Sequence, residues 1–343
     1  MIEQQAESRE GNALANETGP CHGGQVERKH GSQSTCLSQP PEESHRANRQ
    51  AMQQESPDKK SAATRIHDET VDYRFHSDPL NQPLAEVSFL RRSLLLAELA
   101  YVAYLEEDSA ATVVDDVGLR ETLFLEEDGS QAYVFRTEHD TIVACRGTEP
   151  NEWNDIRADL NALMAVSETV GRVHRGFKKE VDDLWPRLEQ ELAENNKPLW
   201  FTGHSLGGAM ATICATRCRL SMIESNPQEL HTFGSPRVGN KTYVNHVKLH
   251  HMRWVNNNDL VTRVPPSWMG YRHTGTQLYF DSNGDFRKLT KIQRGRDRWR
   301  GFFQGLKKRQ FDHFSDHSMK LYVEGIWKCV QQQRDADVES AIG

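Results

Sequence analysis

Apolar residues along the chain recur at two spacings, one typical of helices and the other typical of strands. Residues 83–108 have helical apolar spacing and an acidic end, so they are predicted to form a helix. Two short runs rich in β-forming residues follow at 131–136 and 141–147, separated by the polar sequence TEHD. Strand-like runs this close together are typical of a hairpin, so an antiparallel pair is predicted here.

Beyond residue 140 the predicted strands and helices alternate. The strand-like segments are 141–147, 198–203, 229–236, 251–259 and an edge strand within 273–285, and the helix-like segments are 173–196, bent near Pro186, then 206–223, 240–250 and 316–330. Alternation of this kind favours a largely parallel sheet with helices packed on both faces. The predicted fold class is therefore α/β.

The first 80 residues differ from the rest of the chain in composition. No Phe, Trp or Tyr precedes Tyr73, large aliphatic residues are sparse, and Gln, Glu, Ser and Asn are frequent. Such a segment buries too little apolar surface to offset the entropy lost on ordering its backbone. Residues 1–80 are therefore predicted to be a disordered polar tail, and residues 81–343 a single α/β domain.

Charge, hydropathy and cysteine content narrow the class of protein. The formal net charge of −7 indicates no polyanionic partner, so nucleic-acid binding is not expected. The sequence contains no run of 18 apolar residues, so no transmembrane helix is predicted. The amino terminus has neither the basic nor the apolar region of a signal peptide. The scattered cysteines are interpreted as free thiols, with Cys214 and Cys218 in the core. A cytoplasmic location, with peripheral membrane association left open, is the default expectation.

The sequence GHSLG, residues 203–207, matches the nucleophile pattern G-x-S-x-G. It lies between a strand-like and a helix-like segment, where a sharp turn exposes Ser205 and the glycines let strand and helix approach closely. The following helix directs its amino terminus at the serine, so its dipole and the Leu206 N–H favour negative charge there. Ser205 is predicted to be a nucleophile, and a chance match in a glycine-rich turn is the alternative.

Several further blocks resemble the class 3 lipases, a family of α/β-hydrolases that includes fungal triacylglycerol lipases and feruloyl esterases. The blocks follow the family's order and read ACRGTEPNEWNDIRADL, VHRGF, FTGHSLGGAMA, TFGSPRVGN, NNNDLVTRVPP, YRHTGTQLYF and SDHSMKLYV. The resemblance as a whole covers about residues 84–330 and leaves the tail unmatched. The resemblance implies an α/β-hydrolase-type fold, with a mostly parallel central sheet flanked by helices, and ester hydrolysis.

A serine nucleophile requires a histidine base and a carboxylate that orients it, in the chain order Ser, Asp or Glu, His in α/β-hydrolases. Asp259 ends a strand-like run, which is where open α/β sheets place their sites, and the resemblance implies the same residue. Seven histidines follow Ser205, namely His231, His246, His250, His251, His273, His313 and His317. The first lies within a strand-like run, the next three precede Asp259, and the family's histidine at the fifth position is not its base.

The resemblance implies His317 as the base, because it matches the family's carboxyl-terminal catalytic block, and His313 is the alternative. These two histidines also have the i, i+4 spacing of metal ligands on a helix, with Asp312 and Asp316 nearby, but a third ligand is not evident. No metal site and no cofactor are therefore predicted.

The second oxyanion donor is expected in the loop after the strand-like run 141–147, and the resemblance implies Thr148 for this role. In the family the next residues form a lid over the acyl pocket. Here Trp153, Ile156 and Leu160 recur at helical spacing among charged residues, which predicts an amphipathic helix with a narrow apolar stripe. A permanently docked surface helix is the alternative.

Residues 286–311 depart from the compact family pattern. This segment contains ten Lys or Arg residues and one acidic residue, and its apolar residues at helical spacing are Trp299, Phe302, Phe303 and Leu306. A basic amphipathic helix is typical of contact with an anionic membrane, and a helix packed on the domain is the alternative.

The predicted function is hydrolysis of lipid-like acyl esters by a serine carboxylic-ester hydrolase, a lipase or esterase, through an acyl-enzyme. Ser205, His317 and Asp259 are its predicted triad. The expected substrate is a lipid or a small acyl ester. A phospholipase or acyltransferase with the same triad, and a catalytically silent lipid-binding module, are the alternatives.

Overall fold

The computed structural model describes residues 73–147, 163–220, 226–257, 259–281, 283–286 and 317–342. The chain divides into two units, Met1–Thr70 and Val71–Gly343, and all of the described residues lie in the second. The strands are β1 Glu121–Glu127, β2 Ser130–Arg136, β3 Thr141–Cys145, β4 Met164–Val166, β5 Arg172–His174, β6 Leu199–His204, β7 Pro227–Phe233, β8 Gly239–Asn240, β9 His251–Asn256, β10 Tyr271–Arg272 and β11 Thr276–Phe280. The α-helices are α1 Phe89–Val102, α2 Glu107–Asp115, α3 Arg175–Ala193, α4 Leu206–Leu220, α5 Lys241–His246 and α6 Met319–Ile342.

Seven of these strands form a central sheet in the order β1-β2-β3-β6-β7-β9-β11. Neighbouring strands are parallel from β3 to β11, whereas β1 and β2 form an antiparallel edge. The predicted hairpin is confirmed, because β2 and β3 pair antiparallel. The pattern does not predict β1, whose charged and half-buried residues show no clean alternation. A mostly parallel sheet confirms the α/β fold class.

The side chains of β3 are divided between two hydrophobic cores. Val143 and Cys145 pack with α3 and α4, whereas Ile142 and Ala144 pack with α1 in the second core. Consecutive side chains of a strand point to opposite faces, so this continuous apolar strand fills both cores at once. Helices therefore cover both faces of the sheet, as predicted.

The helices agree with the predicted segments in position more closely than in length. Helix α5 is shorter than the predicted segment: the Asn240 side chain caps its start, and the chain is extended again at Val247. Helix α6 continues to Ile342, well beyond the predicted end at residue 330. Cys214 and Cys218 on α4 are completely buried with free thiols, which confirms their prediction as core residues.

Residues 73–80, which composition assigns to the polar tail, contact the domain. The main-chain N–H of Leu80 donates to the carbonyl of Val117 at 2.9 Å, and the ring of Tyr73 stacks on Tyr101 with 4.6 Å between centroids. Residues 1–72 lie outside the described part of the chain, so their disorder stays a prediction.

Four short strands form a second sheet, in the order β10-β8-β5-β4. Its edge strand β4 comes soon after residues 148–162, a segment that lies outside the described residues and contains the predicted lid residues. Among the helices that the structure describes, none has the length and apolar character needed to cross a membrane.

Candidate active site

Ser205 lies at the turn between β6 and α4, where its backbone has a left-handed φ of 57°. A non-glycine residue in this conformation costs of order 1–3 kcal/mol and persists only when its surroundings hold it. The Ser205 N–H donates to the carbonyl of Phe233 on the neighbouring strand β7 at 3.0 Å, and the Ser205 carbonyl accepts from Gly208 N–H at 3.0 Å. The predicted strand–turn–helix around the serine is therefore present.

The glycines of the nucleophile pattern are required by close backbone contacts. A Cβ on Gly203 would collide with the carbonyl of Gly207, where strand and helix meet. A Cβ on Gly207 would collide with the carbonyl of Cys145 at the end of β3. The spacing G-x-S-x-G therefore lets β6, α4 and the end of β3 meet directly around Ser205.

Asp259 and His317 form a buried hydrogen-bonded pair. The Nδ1–H of His317 donates to Oδ2 of Asp259 at 2.9 Å, and the two residues are 4 % and 0 % exposed. The Val261 N–H donates to Oδ1 of Asp259 at 2.9 Å, and the Tyr322 hydroxyl donates to Oδ2 at 2.6 Å. The carboxylate thus accepts hydrogen bonds on both oxygens and fixes the imidazole through Nδ1.

The serine turn and the Asp259–His317 pair lie at the same edge of the sheet. Gly234 follows Phe233, the residue that accepts from Ser205 N–H, and has a φ of 62°. A Cβ on Gly234 would lie 2.8 Å from Oδ2 of Asp259 and 2.9 Å from the His317 ring. The ends of β6, β7 and β9 therefore bring the three predicted triad residues to one place.

The other candidate histidines are engaged elsewhere. His231 bonds Glu229 at 2.9 Å, His251 bonds two threonine hydroxyls, and His273 donates from Nε2 to a main-chain carbonyl at 2.7 Å. Burial lowers the pKa of each of these three imidazoles. His246 and His250 are exposed, and His313 lies outside the described residues.

Of the two predicted oxyanion residues, Leu206 lies within the described part of the chain and Thr148 does not. Leu206 is the first residue of α4, and the first N–H groups of a helix have no partner within the helix. Thr148 and the lid residues Trp153, Ile156 and Leu160 lie outside the described residues, as do Asp312 and Asp316. Within the described ranges no group of three or more His, Cys, Asp or Glu side chains is placed to hold a metal ion.

The sequence alone predicted no role for three residues of the site. Tyr322 donates to Asp259, and the imidazole of His204 bridges the Tyr104 hydroxyl and the main-chain carbonyl of His317. The position of His204 beside the nucleophile is a signal in the sequence, but its two partners are 100 and 113 positions away. Local patterns carry no information about contacts at such separations.

Among known proteins, this chain is similar to lipases. The family described as Lipase (class 3) matches residues 142–269. A secreted mono- and diacylglycerol lipase of Fusarium solani is 32% identical over 188 residues, which cover 51% of this chain and 53% of that protein. A secreted mono- and diacylglycerol lipase of Malassezia globosa is 29% identical over 248 residues, which cover 65% of this chain and 76% of that protein.

Among solved structures, the triacylglyceride lipase of Rhizomucor miehei superposes with a TM-score of 0.48 and 23% identity. The superposed part covers 55% of this chain and 78% of that structure. The chain spans only about half the length of the Fusarium relative that it matches.

Proposed function

We propose that this chain, which matches the class 3 lipase family over residues 142–269, is a serine carboxylic-ester hydrolase acting on lipid-like acyl esters. The observation that carries the proposal is the buried Asp259–His317 pair beside a serine held in left-handed geometry. Strain of this kind at a strand-to-helix turn is typical of functional positions.

Ser205 attacks the ester carbonyl while His317 accepts the serine proton on Nε2, because Nδ1 is bonded to Asp259. The same nitrogen then gives this proton to the leaving alcohol, which leaves an acyl group on Ser205. Water, deprotonated by His317, hydrolyses the acyl-enzyme. Asp259 keeps the imidazole in the required tautomer and stabilises the imidazolium that forms in both steps.

The negative oxygen of each tetrahedral intermediate is stabilised by the Leu206 N–H, aided by the amino terminus of α4. Thr148 supplies the second donor in this proposal. Its support is the position of the preceding Gly147: a Cβ there would lie 3.3 Å from Cβ of Ser205. The end of β3 therefore reaches the nucleophile.

The proposed substrate class is a lipid or small acyl ester, as the names of the relatives suggest. We further propose that Trp153, Ile156 and Leu160 form the apolar stripe of a lid, and that residues 286–311 contact anionic membranes. Both rest on the sequence pattern. Co-sedimentation with phosphatidylserine vesicles, compared with phosphatidylcholine vesicles, tests the membrane contact; no binding to anionic vesicles at low salt contradicts it.

Hydrolysis of p-nitrophenyl butyrate and octanoate tests the activity itself. We expect Ser205→Ala to abolish turnover, whereas Ser235→Ala, a change at another buried serine near the same turn, retains it. Equal rates for wild type and Ser205→Ala would remove the enzyme assignment. Repeating the assay on phospholipid and on triacylglycerol distinguishes the phospholipase alternative.

A further inference from the structure

We propose that Tyr104 and His204 are positioning residues, joined in a hydrogen-bonded chain that holds the main chain of the base His317 against the nucleophile turn. This positioning role rests on the proposed function, because it concerns the base of the same reaction. It assigns no chemical step to either residue. Their task is to fix where His317 lies relative to Ser205.

The direction of the hydrogen bonds follows from the atoms involved. The His317 carbonyl is only an acceptor, so Nε2 of His204, 2.7 Å away, must carry a hydrogen and donate it. In the neutral imidazole the other nitrogen, Nδ1, is then an acceptor. The Tyr104 hydroxyl, 2.9 Å from Nδ1, therefore donates to it. One tautomer of His204 satisfies both contacts: the His317 carbonyl selects it, and the tyrosine hydroxyl donates to the nitrogen that is left as an acceptor.

His204 is held neutral as well as oriented. Burial lowers the pKa of its imidazole well below the ordinary value, and the nearby His317 ring lowers it further, although the bond to the His317 carbonyl acts in the opposite direction. The two rings lie 4.5 Å apart between centroids. Because His204 stays uncharged, it does not oppose the imidazolium that forms on His317 during catalysis.

The hydrogen bonds from Tyr104 through His204 to His317 connect three segments that form the site. Tyr104 follows the C-cap of α1, and its hydroxyl occupies the space where a Cβ on Gly147 would lie, at the end of β3. The guanidinium of Arg146 lies 5.9 Å from the centre of the Tyr104 ring. His204 is the last residue of β6, directly before Ser205. Tyr104 and His204 thus hold together the strand end before Thr148, the nucleophile and the base.

His317 is fixed at two points that have different partners. Its side chain bonds Asp259 through Nδ1, and its main chain bonds His204 through the carbonyl. The first bond sets the tautomer and the ring orientation. The second sets the position of the backbone that carries the ring, and displacements of about 1 Å in a catalytic geometry cost on the order of 100-fold in rate. Loss of the second bond therefore affects kcat even when the Asp259 contact survives.

The test compares Tyr104→Phe with Tyr133→Phe in the full chain. The Tyr133 hydroxyl also makes a hydrogen bond, to the Leu105 carbonyl at 2.9 Å, so both variants remove one tyrosine hydroxyl from a bonded position. Without the Tyr104 hydroxyl, the His204 imidazole loses one of the two hydrogen bonds that orient it toward the His317 carbonyl. We expect Tyr104→Phe to lower kcat about tenfold with KM within about twofold, and Tyr133→Phe to leave kcat unchanged.

A second pair of variants tests the donor directly. His204→Phe keeps a ring but cannot donate to the His317 carbonyl, whereas the amide of His204→Gln still can. We expect His204→Phe to lower kcat by about 100-fold and His204→Gln to recover at least about tenfold of that loss. Thermal melts of all four variants show whether the loss of activity follows a loss of stability.

The rate at which a fluorophosphonate labels Ser205 provides a readout that needs no knowledge of the substrate. If wild type hydrolyses no ester but Ser205 is labelled, the proposed function fails while the labelling rates of the variants still test the positioning role. The inference is overturned if Tyr104→Phe reacts like Tyr133→Phe, if His204→Gln is no better than His204→Phe, or if wild-type Ser205 does not label at all.

Discussion

Two histidine–carboxylate pairs, the buried Asp259–His317 and the partly buried Glu229–His231, have the same hydrogen-bond length of 2.9 Å. The first pair lies at the strand ends beside Ser205, whereas both members of the second lie within β7, with His231 facing Phe89 of α1. Side-chain chemistry and distance alone, a carboxylate 2.9 Å from an imidazole nitrogen, would not distinguish the two pairs.

The remaining partners of each carboxylate separate the two pairs. Arg92 bonds both oxygens of Glu229, each at 3.0 Å, so a fixed cation compensates the charge of Glu229. Burial raises the pKa of Glu229, but His231 and Arg92 together lower it to about 2. The further donors to Asp259 that the structure records are neutral, namely an amide and the Tyr322 hydroxyl. A carboxylate bonded by neutral donors remains available to stabilise a transient imidazolium, and this difference distinguishes the pair that we propose to be catalytic.

The largest expected effect is the loss of activity in Asp259→Asn. The asparagine no longer selects the required tautomer of His317, and a change of this kind in a serine triad costs about 10⁴-fold in kcat. Glu229→Gln removes the carboxylate of the other pair, and its kcat is expected to stay within about twofold of wild type. Steady-state kinetics on p-nitrophenyl butyrate measure kcat for both variants. Similar losses of kcat in Asp259→Asn and Glu229→Gln would contradict a catalytic role for the first pair alone.

Stability is expected to show the reverse order. Glu229→Gln leaves the nearly buried guanidinium of Arg92 without its anion, and breaking a buried ion pair costs about 3–5 kcal/mol. Asp259→Asn should lose less, because its oxygen still accepts from neutral donors. Urea unfolding at neutral pH measures both free energies of unfolding. A more stable Glu229→Gln than Asp259→Asn would show that Arg92 does not hold the second pair.

Glu98 provides a third case, a buried carboxylate that accepts from the main-chain N–H groups of His76 and Ser77. Burial raises its pKa to about 7 although these hydrogen bonds oppose the shift. The folded protein therefore binds the proton more tightly than the unfolded chain. The free energy of unfolding should then fall as pH rises from about 4.5 to about 7, by at most about 3 kcal/mol, and level off above.

Glu98→Gln removes this titration. Its stability relative to wild type should increase steadily across the same pH window, as measured by urea unfolding at half-unit pH steps. Parallel pH profiles for wild type and Glu98→Gln would show that Glu98 titrates alike in the folded and unfolded states.

The smallest expected effect concerns the neutral donor to Asp259. Tyr322→Phe removes a 2.6 Å hydrogen bond to the carboxylate, and about tenfold in kcat, with KM unchanged, is the expected loss. Tyr279→Phe is the matched control, because its hydroxyl bonds Asn257 at 3.1 Å instead. An unchanged kcat in Tyr322→Phe would mean that the bonds from Val261 and His317 hold Asp259 in place without the tyrosine hydroxyl.

Much of this site was open to prediction from the sequence, for a physical reason. The turn around Ser205 is a local structure, so the glycines, the preceding strand and the following helix all appear within a short stretch of chain. Asp259 ends a strand-like run, and the family resemblance supplied most of its assignment among the carboxylates that follow Ser205. The assignment of His317 needed the family resemblance, because no local pattern distinguishes it from His313.

What the sequence did not predict depends on contacts between distant segments. The bond from Tyr104 to His204 joins α1 to the nucleophile strand across 100 positions, and the bond from Tyr322 to Asp259 spans 63. Likewise β1 is held by pairing with β2 rather than by its own alternation. The pair Glu229–His231 illustrates the converse, since it resembles a site in residue type and only its Arg92 contact identifies it as structural.

The most direct test of the proposed triad is to label the protein with a fluorophosphonate and to locate the adduct by peptide mass spectrometry, with labelling rates compared across variants. We expect a single adduct on Ser205, formed at wild-type rate in Glu229→Gln and far more slowly in Asp259→Asn. An adduct on another residue, or equal labelling rates in these two variants, would contradict it.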